Sequence, residues 1–507
     1  MVDNRILKNP VVKGTFILTM AGVLTKFIGF YYRIFLSNLI GARQLGIYQL
    51  IFPVYIFAIS FCCQGLQAAL TKSISAFCAS GRQRQMKKSF WVVLIISFFL
   101  SLLVAVLIYI YAKPISTYII RNTETVDCIR VICFGLPFVA IKSAIHGYCL
   151  GIQNSRVLGL SQLIEQIFRV AGTWFVAISL VSNDGYTAVI AAYGIVIGEV
   201  ISCIYSILEI RGHFKRMKDT HTRRSAHTGA TIMLLKDGVL LTSNRVSMTL
   251  LSSFEAILIP SMLTVFYKDS DYCLELFGVL TGMAMPFITL PSTLTNALSS
   301  MLLPAVSETK AKKQENTLSA MTASSLHFCS LIGIFSLILF IIFGKDLGTV
   351  VFGNEMAGEF IFMMAFLCPF IYISSTLSSI LNGLDKTALN LFYHLLSITI
   401  RICFILFAVP AVGIRGYMWG LLASYLILTM LLLTTIHKEI SFSFDCNRSL
   451  LMPAILASIS GALVYIAYTY LTKITSLPRL MLLFFLIAVY GLFYFTITLF
   501  KDFIMKS

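Results

Sequence analysis

Charge is what this sequence has least of. Only 12% of its 507 residues are charged, about half of the roughly 25% typical of a soluble domain. Acids are the scarcer kind, 22 Asp and Glu against 39 Lys and Arg. A water-facing surface cannot be built from so little charge around a chain that is 58% hydrophobic with a mean hydropathy of +0.87, so a soluble fold is excluded. No two of the twelve cysteines have the CxxC spacing of a metal or redox site, and no metal centre is expected. Most cysteines (Cys62, Cys63, Cys203, Cys329, Cys368, Cys403) lie in apolar segments, where thiols behave as small hydrophobes. A GxxxxGK[ST] loop is missing, which excludes a P-loop ATP site. No cleavable signal is expected either. Arg5, Lys8 and Lys13 precede an apolar stretch with no small-residue cleavage site near its end.

What the sequence has is long apolar runs, many of 18 residues or more, enough to cross a hydrocarbon core of about 30 Å. Spans are expected near 14–40, 46–71, 89–112, 127–150, 157–181, 187–209, 236–262, 275–303, 320–343, 358–382, 387–410, 416–436, 450–471 and 478–500. Helices are the only fit, because the ten-residue alternation of barrel strands is not seen. Basic residues cluster in alternate connections: Lys72, Arg82, Arg84, Lys87 and Lys88; then Arg211, Lys215, Arg216, Lys218, Arg223 and Arg224; then Lys310, Lys312 and Lys313. The opposite connections carry Asp269, Asp271, Glu275, Asp346, Glu355 and Glu359. That is the positive-inside pattern with both termini cytoplasmic, and it explains the net charge of +17 without nucleic acid.

The chain also resembles itself. Pro137-Phe138 matches Pro369-Phe370, Gly151 matches Gly383, Arg169 matches Arg401 and Tyr193 matches Tyr425; Gly46 pairs with Gly278 and Ser75 with Ser307. Each pair is 232 positions apart (369 − 137 for the first). A shift by six helices preserves orientation, so parallel repeats are expected, an arrangement that recurs in transporters. The expected organisation is an all-α polytopic membrane protein of about fourteen helices. It comprises a six-helix lobe 1–210, a basic cytoplasmic linker 211–235, a second six-helix lobe 236–438 and two additional helices in 439–507.

Nine charged side chains fall within the expected spans: Lys26, Arg33, Lys142, Glu165, Arg169, Glu199, Arg245, Glu255 and Arg401. Each costs roughly 2.5–3.5 kcal/mol at a helix centre on insertion scales, so such residues face a bundle interior or a water-filled cavity. Six are cations and three are anions, a surplus that an anionic ligand would neutralise. In the first span Gly22, Lys26, Gly29 and Arg33 share one helical face, fit either for a ligand cavity or for glycine-mediated packing. Glu165 and Arg169 can pair within their helix at i,i+4, whereas Arg401 has Ser397 in place of the acid and could bind substrate or reach Glu199 or Glu255. Thr242, Arg245, Thr249 and Ser252 form another polar stripe, and Arg33 and Arg245 are expected to face one another across a cleft. Candidate binders of an anionic head group are therefore Lys26, Arg33, Arg245 and Arg401; Glu165, Arg169, Glu199 and Glu255 are candidates for gating or ion pairs. His146 and His394 could couple protons or hydrogen-bond between helices. Pro53, Pro137, Pro260, Pro286, Pro291 and Pro369 are expected to interrupt spans, with Pro286 and Pro291 marking a bending element or a fixed kink.

The residues resemble the stage V sporulation protein B group of polysaccharide-type flippases, in the MATE-like (MOP) exporter superfamily that includes MurJ-like lipid II flippases. The resemblance rests on Gly29-Phe30 with Arg33, GIYQLIFPVY at 46–55, HGYCLGIQN at 146–154, SQLIEQIFRV at 161–170, EAILIPSML at 255–263 and FGVLTGMAMPFITLPSTLTNALSSMLLPAVSE at 277–308. One departure is the stretch Gly65-Leu66-Gln67-Ala68-Ala69-Leu70-Thr71-Lys72, where a Gly-x-Pro-x-Ala-x-Ser-Lys pattern is expected; the proline that would break the helix is absent.

The resemblance implies a transporter, not an enzyme, that moves an undecaprenyl-diphosphate-linked sugar across the cytoplasmic membrane by alternating access, for cell wall, spore cortex or capsule. No cofactor is expected; the energy would come from the membrane potential, H+ or Na+. Expected partners are the lipid substrate, the bilayer and cell-wall synthesis proteins, with the chain itself a monomer. The alternatives are a MATE-type ion-coupled drug or cation antiporter, which favours an acidic, aromatic-lined cavity; a membrane glycosyltransferase, which usually needs a larger outer loop; and a scaffold, for which nine intramembrane charges would be wasteful.

Overall fold

A computed structural model describes residues 10–179, 187–216, 228–442, 444–474 and 478–504. Arg5, Lys8, Lys218, Arg223 and Arg224 lie outside the described residues. All regular structure among the described residues is helical, as lipid requires of a chain that must satisfy its own backbone polar groups. Eleven of these helices are long and apolar enough to cross a membrane, or up to twelve if a bent pair counts as one span. One of the eleven, Met20–Ala79, has 60 residues, well beyond the approximately 20 that one crossing needs. Gly41 divides it, with φ 75° and ψ 172°, at the place where the first two spans are expected to part. The 25-residue helix Ser155–Ser179 is not among the eleven; it carries Gln162, Glu165, Gln166 and Arg169, and those polar side chains recur below.

The chain divides into two compact units, Met1–Ile257 and Leu258–Ser507. The first holds α1 (Pro10–Ile59), α2 (Gly65–Ala79), α3 (Gln83–Ile110), the short α4 (Ala112–Pro114), α5 (Thr125–Cys133), α6 (Leu136–Gly151), α7 (Ser155–Ser179), α8 (Ala188–Arg216) and most of α9 (Thr228–Tyr267). Leu66, Leu70 and Ile74 of α2, Met86, Phe90 and Val93 of α3, Ala144 and Tyr148 of α6 and Leu234 of α9 make one core. The first two-thirds of α9 is tied to α2 and to the turn Ser60–Gln64 before it in three ways. Lys72 pairs with Asp237 at 2.7 Å, Thr249 meets Ser60 at 3.0 Å, and Gly65 lies so close that an added Cβ would sit 2.1 Å from the Thr242 hydroxyl. These contacts group residues 236–257 with the first unit by packing, although the sequence repeat assigns them to the second half.

The second unit holds α10 (Ser270–Gly278), α11 (Met285–Thr289), α12 (Ser292–Ala311), α13 (Glu315–Phe352), α14 (Glu355–Met364), α15 (Cys368–Gly383), α16 (Thr387–Phe407), the short α17 (Val409–Val412), α18 (Ile414–Glu439), α19 (Met452–Ile474) and α20 (Arg479–Ile504). Its core is built from Leu302 and Val306, Leu326, Leu377, Ile380 and Leu381, and Leu428 and Leu432. The two C-terminal helices bind to α13 through aromatic rings: Phe335 stacks on Tyr490 at 4.8 Å, and the Tyr494 hydroxyl donates to the Leu331 carbonyl at 3.1 Å.

The interval of 232 residues recurs in the backbone of the two units. Left-handed residues occur at Gly81 and Lys313, at Arg121 and Gly353, and at Gln153 and Asp385, each pair separated by that interval. The same interval separates the starts of α6 and α15, of α7 and α16, and of α3 and α13. One hydrogen bond is repeated as well: Ser75 Oγ donates to the Gly151 carbonyl and Ser307 Oγ to the Gly383 carbonyl, both at 3.0 Å. A left-handed non-glycine residue is uncommon, so these caps are shared design and not chance.

The prolines divide by role. Pro53 and Pro260 lie inside helices. Pro137, Pro286 and Pro369 instead sit in the first turn, where the missing N–H costs nothing. Each follows an interruption of its span, as expected: Thr125–Cys133 and Leu136–Gly151 meet at a 46° bend before Pro137, and the 3-10 turn Ala365–Leu367 precedes Pro369. Around Pro286 and Pro291 the chain does break, from the π-helical turn Val279–Ala284 through α11 into α12. After Pro53 a second π turn, Ser60–Gln64, runs directly into α2 at Gly65, so the helix continues where the family proline is missing.

Without a hydrophobic drive between helices in lipid, small residues set how closely they pack. Gly348 of α13 touches Gly358 of α14, and an added Cβ would lie 2.0 Å from the Gly358 nitrogen. Gly22 has nothing within 4 Å. Gly348→Val should therefore destabilise the detergent-solubilised protein by about 1–3 kcal/mol or more, while Gly22→Ala should leave it equal or slightly more stable. Thermal unfolding followed by size-exclusion chromatography checks both; equal melting of the two variants would contradict the packing.

Candidate functional site

Four of the nine intramembrane charges form one network in the first unit. Glu165 and Arg169 stand one turn apart on α7, Lys142 comes from α6 and Glu199 from α8. Gly198 explains the close approach of α8: an added Cβ would lie 2.7 Å from the Glu165 carbonyl, so the residue before Glu199 must be small for the helices to meet here. Lys142 Nζ donates to Glu165 Oε2 at 2.7 Å, to Ser202 Oγ at 3.3 Å and to Glu199 Oε2. Arg169 Nη2 donates to Glu165 Oε1 at 2.5 Å. Lys142 and Glu199 are only 7% and 6% exposed. Two cations and two anions cancel, so the network carries no net charge to offer a ligand.

Its counterparts 232 residues on are Ser374, Ser397, Arg401 and Leu431. The second unit thus keeps the arginine and drops the other three charges. Arg401 Nη1 donates to Ser397 Oγ at 3.3 Å and lies 5.6 Å from the Tyr425 ring centroid, a cation–π distance. The i−4 partner is conserved in geometry and changed in chemistry, from carboxylate to hydroxyl.

With the network removed from the sum, four cations and Glu255 remain. Lys26 is exposed on α1. One turn on, Gly29 faces Gln166 of α7, whose side-chain oxygen would be 3.7 Å from an added Cβ. Arg33 is half-buried, within electrostatic reach of Tyr48 and Arg169. Arg245 lies on the face of α9 that carries Thr242 and Thr249, the two residues seated against Gly65 and Ser60, yet its own side chain is exposed. Neither Lys26 nor Arg245 has a hydrogen-bond or ion-pair partner for its side chain among the described residues. Glu255 is buried, 7% exposed. Of the histidines, His394 Nε2 meets Ser378 Oγ at 3.0 Å between α16 and α15, an interhelical contact, whereas His146 Nε2 is buried without a partner.

Lys142 is the residue that sequence reasoning left without a role. It shares no helix and no spacing with Glu165 or Glu199, so only the count of intramembrane charges marks it. Replacing it strands Glu199, since Glu165 keeps Arg169: Lys142→Met should destabilise the protein by about 3–5 kcal/mol, the usual result of breaking a buried ion pair from one side. Adding Glu199→Leu, the residue found at the counterpart position, leaves Glu165 with Arg169 and should recover most of that loss. Thermal unfolding of the single and double variants checks this, and a double variant no better than Lys142→Met alone would contradict the network.

Comparison with known proteins agrees with this architecture. Stage V sporulation protein B of Bacillus subtilis (strain 168) is 27% identical over 464 residues, covering 89% of this chain and 88% of that one. The fold is similar to a solved lipid II flippase MurJ in an inward closed conformation, with TM-score 0.70 and 14% identity over 96% of this chain and 99% of that one. It is also similar to an inward-facing MATE-family multidrug transporter of the MOP superfamily, with TM-score 0.64 and 15% identity over 82% and 95%. Residues 11–310 match the family described as polysaccharide biosynthesis protein. The chain is a multi-pass membrane protein of that family.

Proposed function

We propose that this protein is a flippase for an undecaprenyl-diphosphate-linked sugar, a lipid II-like precursor of peptidoglycan or another polysaccharide. One observation carries the reading. The Lys142 network neutralises itself, and what remains of the intramembrane charge is Lys26, Arg33, Arg245 and Arg401 against Glu255. A diphosphate supplies the missing anion, and arginine is suited to bind it because its planar fork matches two phosphate oxygens at once. The isoprenoid tail can stay in lipid while the head group crosses by alternating access. Family membership and the likeness to a lipid II flippase support the class of cargo. The positive-inside pattern supports residence in the cytoplasmic membrane with both termini inside.

An ion-coupled antiporter of organic cations shares the fold but not the chemistry, since a surplus of intramembrane cations repels its substrate. The proposed protein is a transporter with no catalytic residue.

A leaflet-protection assay in proteoliposomes, with lipid II and one unrelated undecaprenyl-linked oligosaccharide, tests the reading. Wild type should flip at least one of them. Each charge-assisted hydrogen bond is worth roughly 1.5–3 kcal/mol, so Lys26→Gln, Arg33→Gln, Arg245→Gln and Arg401→Gln should each lower the rate about tenfold or more. Lys312→Gln, which removes an exposed surface pair with Glu308, should not change it. Undiminished flipping by all four variants would refute the site; no flipping of either lipid by wild type would refute the function.

A further inference from the structure

Nine buried side-chain nitrogen and oxygen atoms lack a hydrogen-bond partner among the described residues, and three of them surround the Lys142 network: Tyr55 Oη, His146 Nε2 and Arg169 Nε. Tyr55 of α1 lies within electrostatic reach of both Glu199 and Glu165, and His146 stands one turn from Lys142 on α6. Orphaned buried polar atoms are rare in folded proteins. Three around one pair of carboxylates show a cluster with more hydrogen-bonding capacity than its present arrangement uses.

The two carboxylates are also held unequally. Glu165 accepts from Lys142 through one oxygen and from Arg169 through the other. Glu199 accepts from Lys142 alone among the described residues, and Lys142 has already spent its three donors on Glu165, Glu199 and Ser202. Arg169 of α7, Tyr55 of α1, Cys63 beside α2 and Cys203 on α8 also stand within electrostatic reach of Glu199, but Arg169, the cation among them, gives its hydrogen bond to Glu165 and not to Glu199. A proton entering this cluster therefore loses least attraction by adding to Glu199.

We propose that Glu199 is a proton-binding site of this protein, and that taking up a proton there releases the Lys142 bridge between α6 and α8. The step is balanced. One proton from water adds to one Glu199 oxygen, Lys142 keeps its charge and its bond to Glu165, and the cluster passes from neutral to a single positive charge. Tyr55 and His146 supply the hydrogen-bonding atoms that the rearranged groups can meet. A site of this kind would let a proton gradient bias the packing of α6 against α8. Its connection to transport rests on the flippase reading, but the site itself does not.

The proton can be read directly by infrared difference spectroscopy of the full chain in nanodiscs. A protonated-carboxyl stretch that grows as pH falls and is missing from one variant reports the proton of that side chain. Wild type should show such a band, and Glu199→Gln should lose it. Glu165→Gln gives Lys142 wholly to Glu199 and should move the band's midpoint down by about one pH unit, a tenfold change in proton affinity. A wild-type protein with no such band, or a band that persists in Glu199→Gln, would overturn the assignment, as would an unmoved midpoint in Glu165→Gln. None of these outcomes depends on which lipid is carried, so a failed flipping assay leaves this test intact.

Discussion

An ionised side chain in hydrocarbon must be neutralised by a neighbour, by a ligand or by a proton, and the intramembrane charges of this chain are sorted by that requirement. Glu165, Glu199, Lys142 and Arg169 neutralise one another on three helices of the first unit. Buried pairs of this sort seldom add net stability, because the desolvation of each ion offsets much of the attraction; their clearest effect is the penalty for breaking one side. The network is accordingly better understood as a junction that joins α6, α7 and α8 than as a source of stability. The glycines beside it have the same meaning: Gly194 and Gly198 bring α8 onto Thr173 and Glu165 of α7, and the junction exists only because those positions carry no side chain.

The two units share a scaffold and differ in what they put on it. Their left-handed caps, helix starts and the Ser75–Gly151 and Ser307–Gly383 hydrogen bonds recur at one interval. Three of the four network charges do not, being replaced by Ser374, Ser397 and Leu431. Divergence has fallen on intramembrane electrostatics, while the residues that shape turns and close helix contacts are retained. This division is what a transporter evolving new cargo from a duplicated fold would show, since backbone geometry is hard to change one residue at a time and a side-chain charge is not.

The helical class, the family and the division of α1 at Gly41 were legible in sequence because each rests on a local or periodic signal: apolar run length, motif, a glycine before a polar connection. The interval of 232 residues was legible for the same reason, as a register of identical residues. Packing partners were not. That Thr242 and Asp237 belong with α2 depends on Gly65 and Lys72, more than 160 positions earlier, and no periodicity links them. The Glu165–Arg169 pair could be read from its spacing of four, but Lys142 could not be attached to it, since the three helices of the junction meet only in space. Pro137, Pro286 and Pro369 marked interruptions of their spans in sequence, but that each sits in the first turn of the helix after the break could not be read until the helix boundaries were known.

The proposal that intramembrane cations recognise the charged end of an isoprenoid lipid is tested most directly at Arg245, whose side chain has no hydrogen-bond or ion-pair partner among the described residues. Equilibrium binding of undecaprenyl diphosphate against undecaprenol, to the same detergent-solubilised protein, isolates that charge from the tail. The diphosphate should bind at least about tenfold tighter, the equivalent of one good charge-assisted contact, and the gap should shrink in Arg245→Gln. Equal affinities for the two lipids, or a gap untouched by that substitution, would contradict the account.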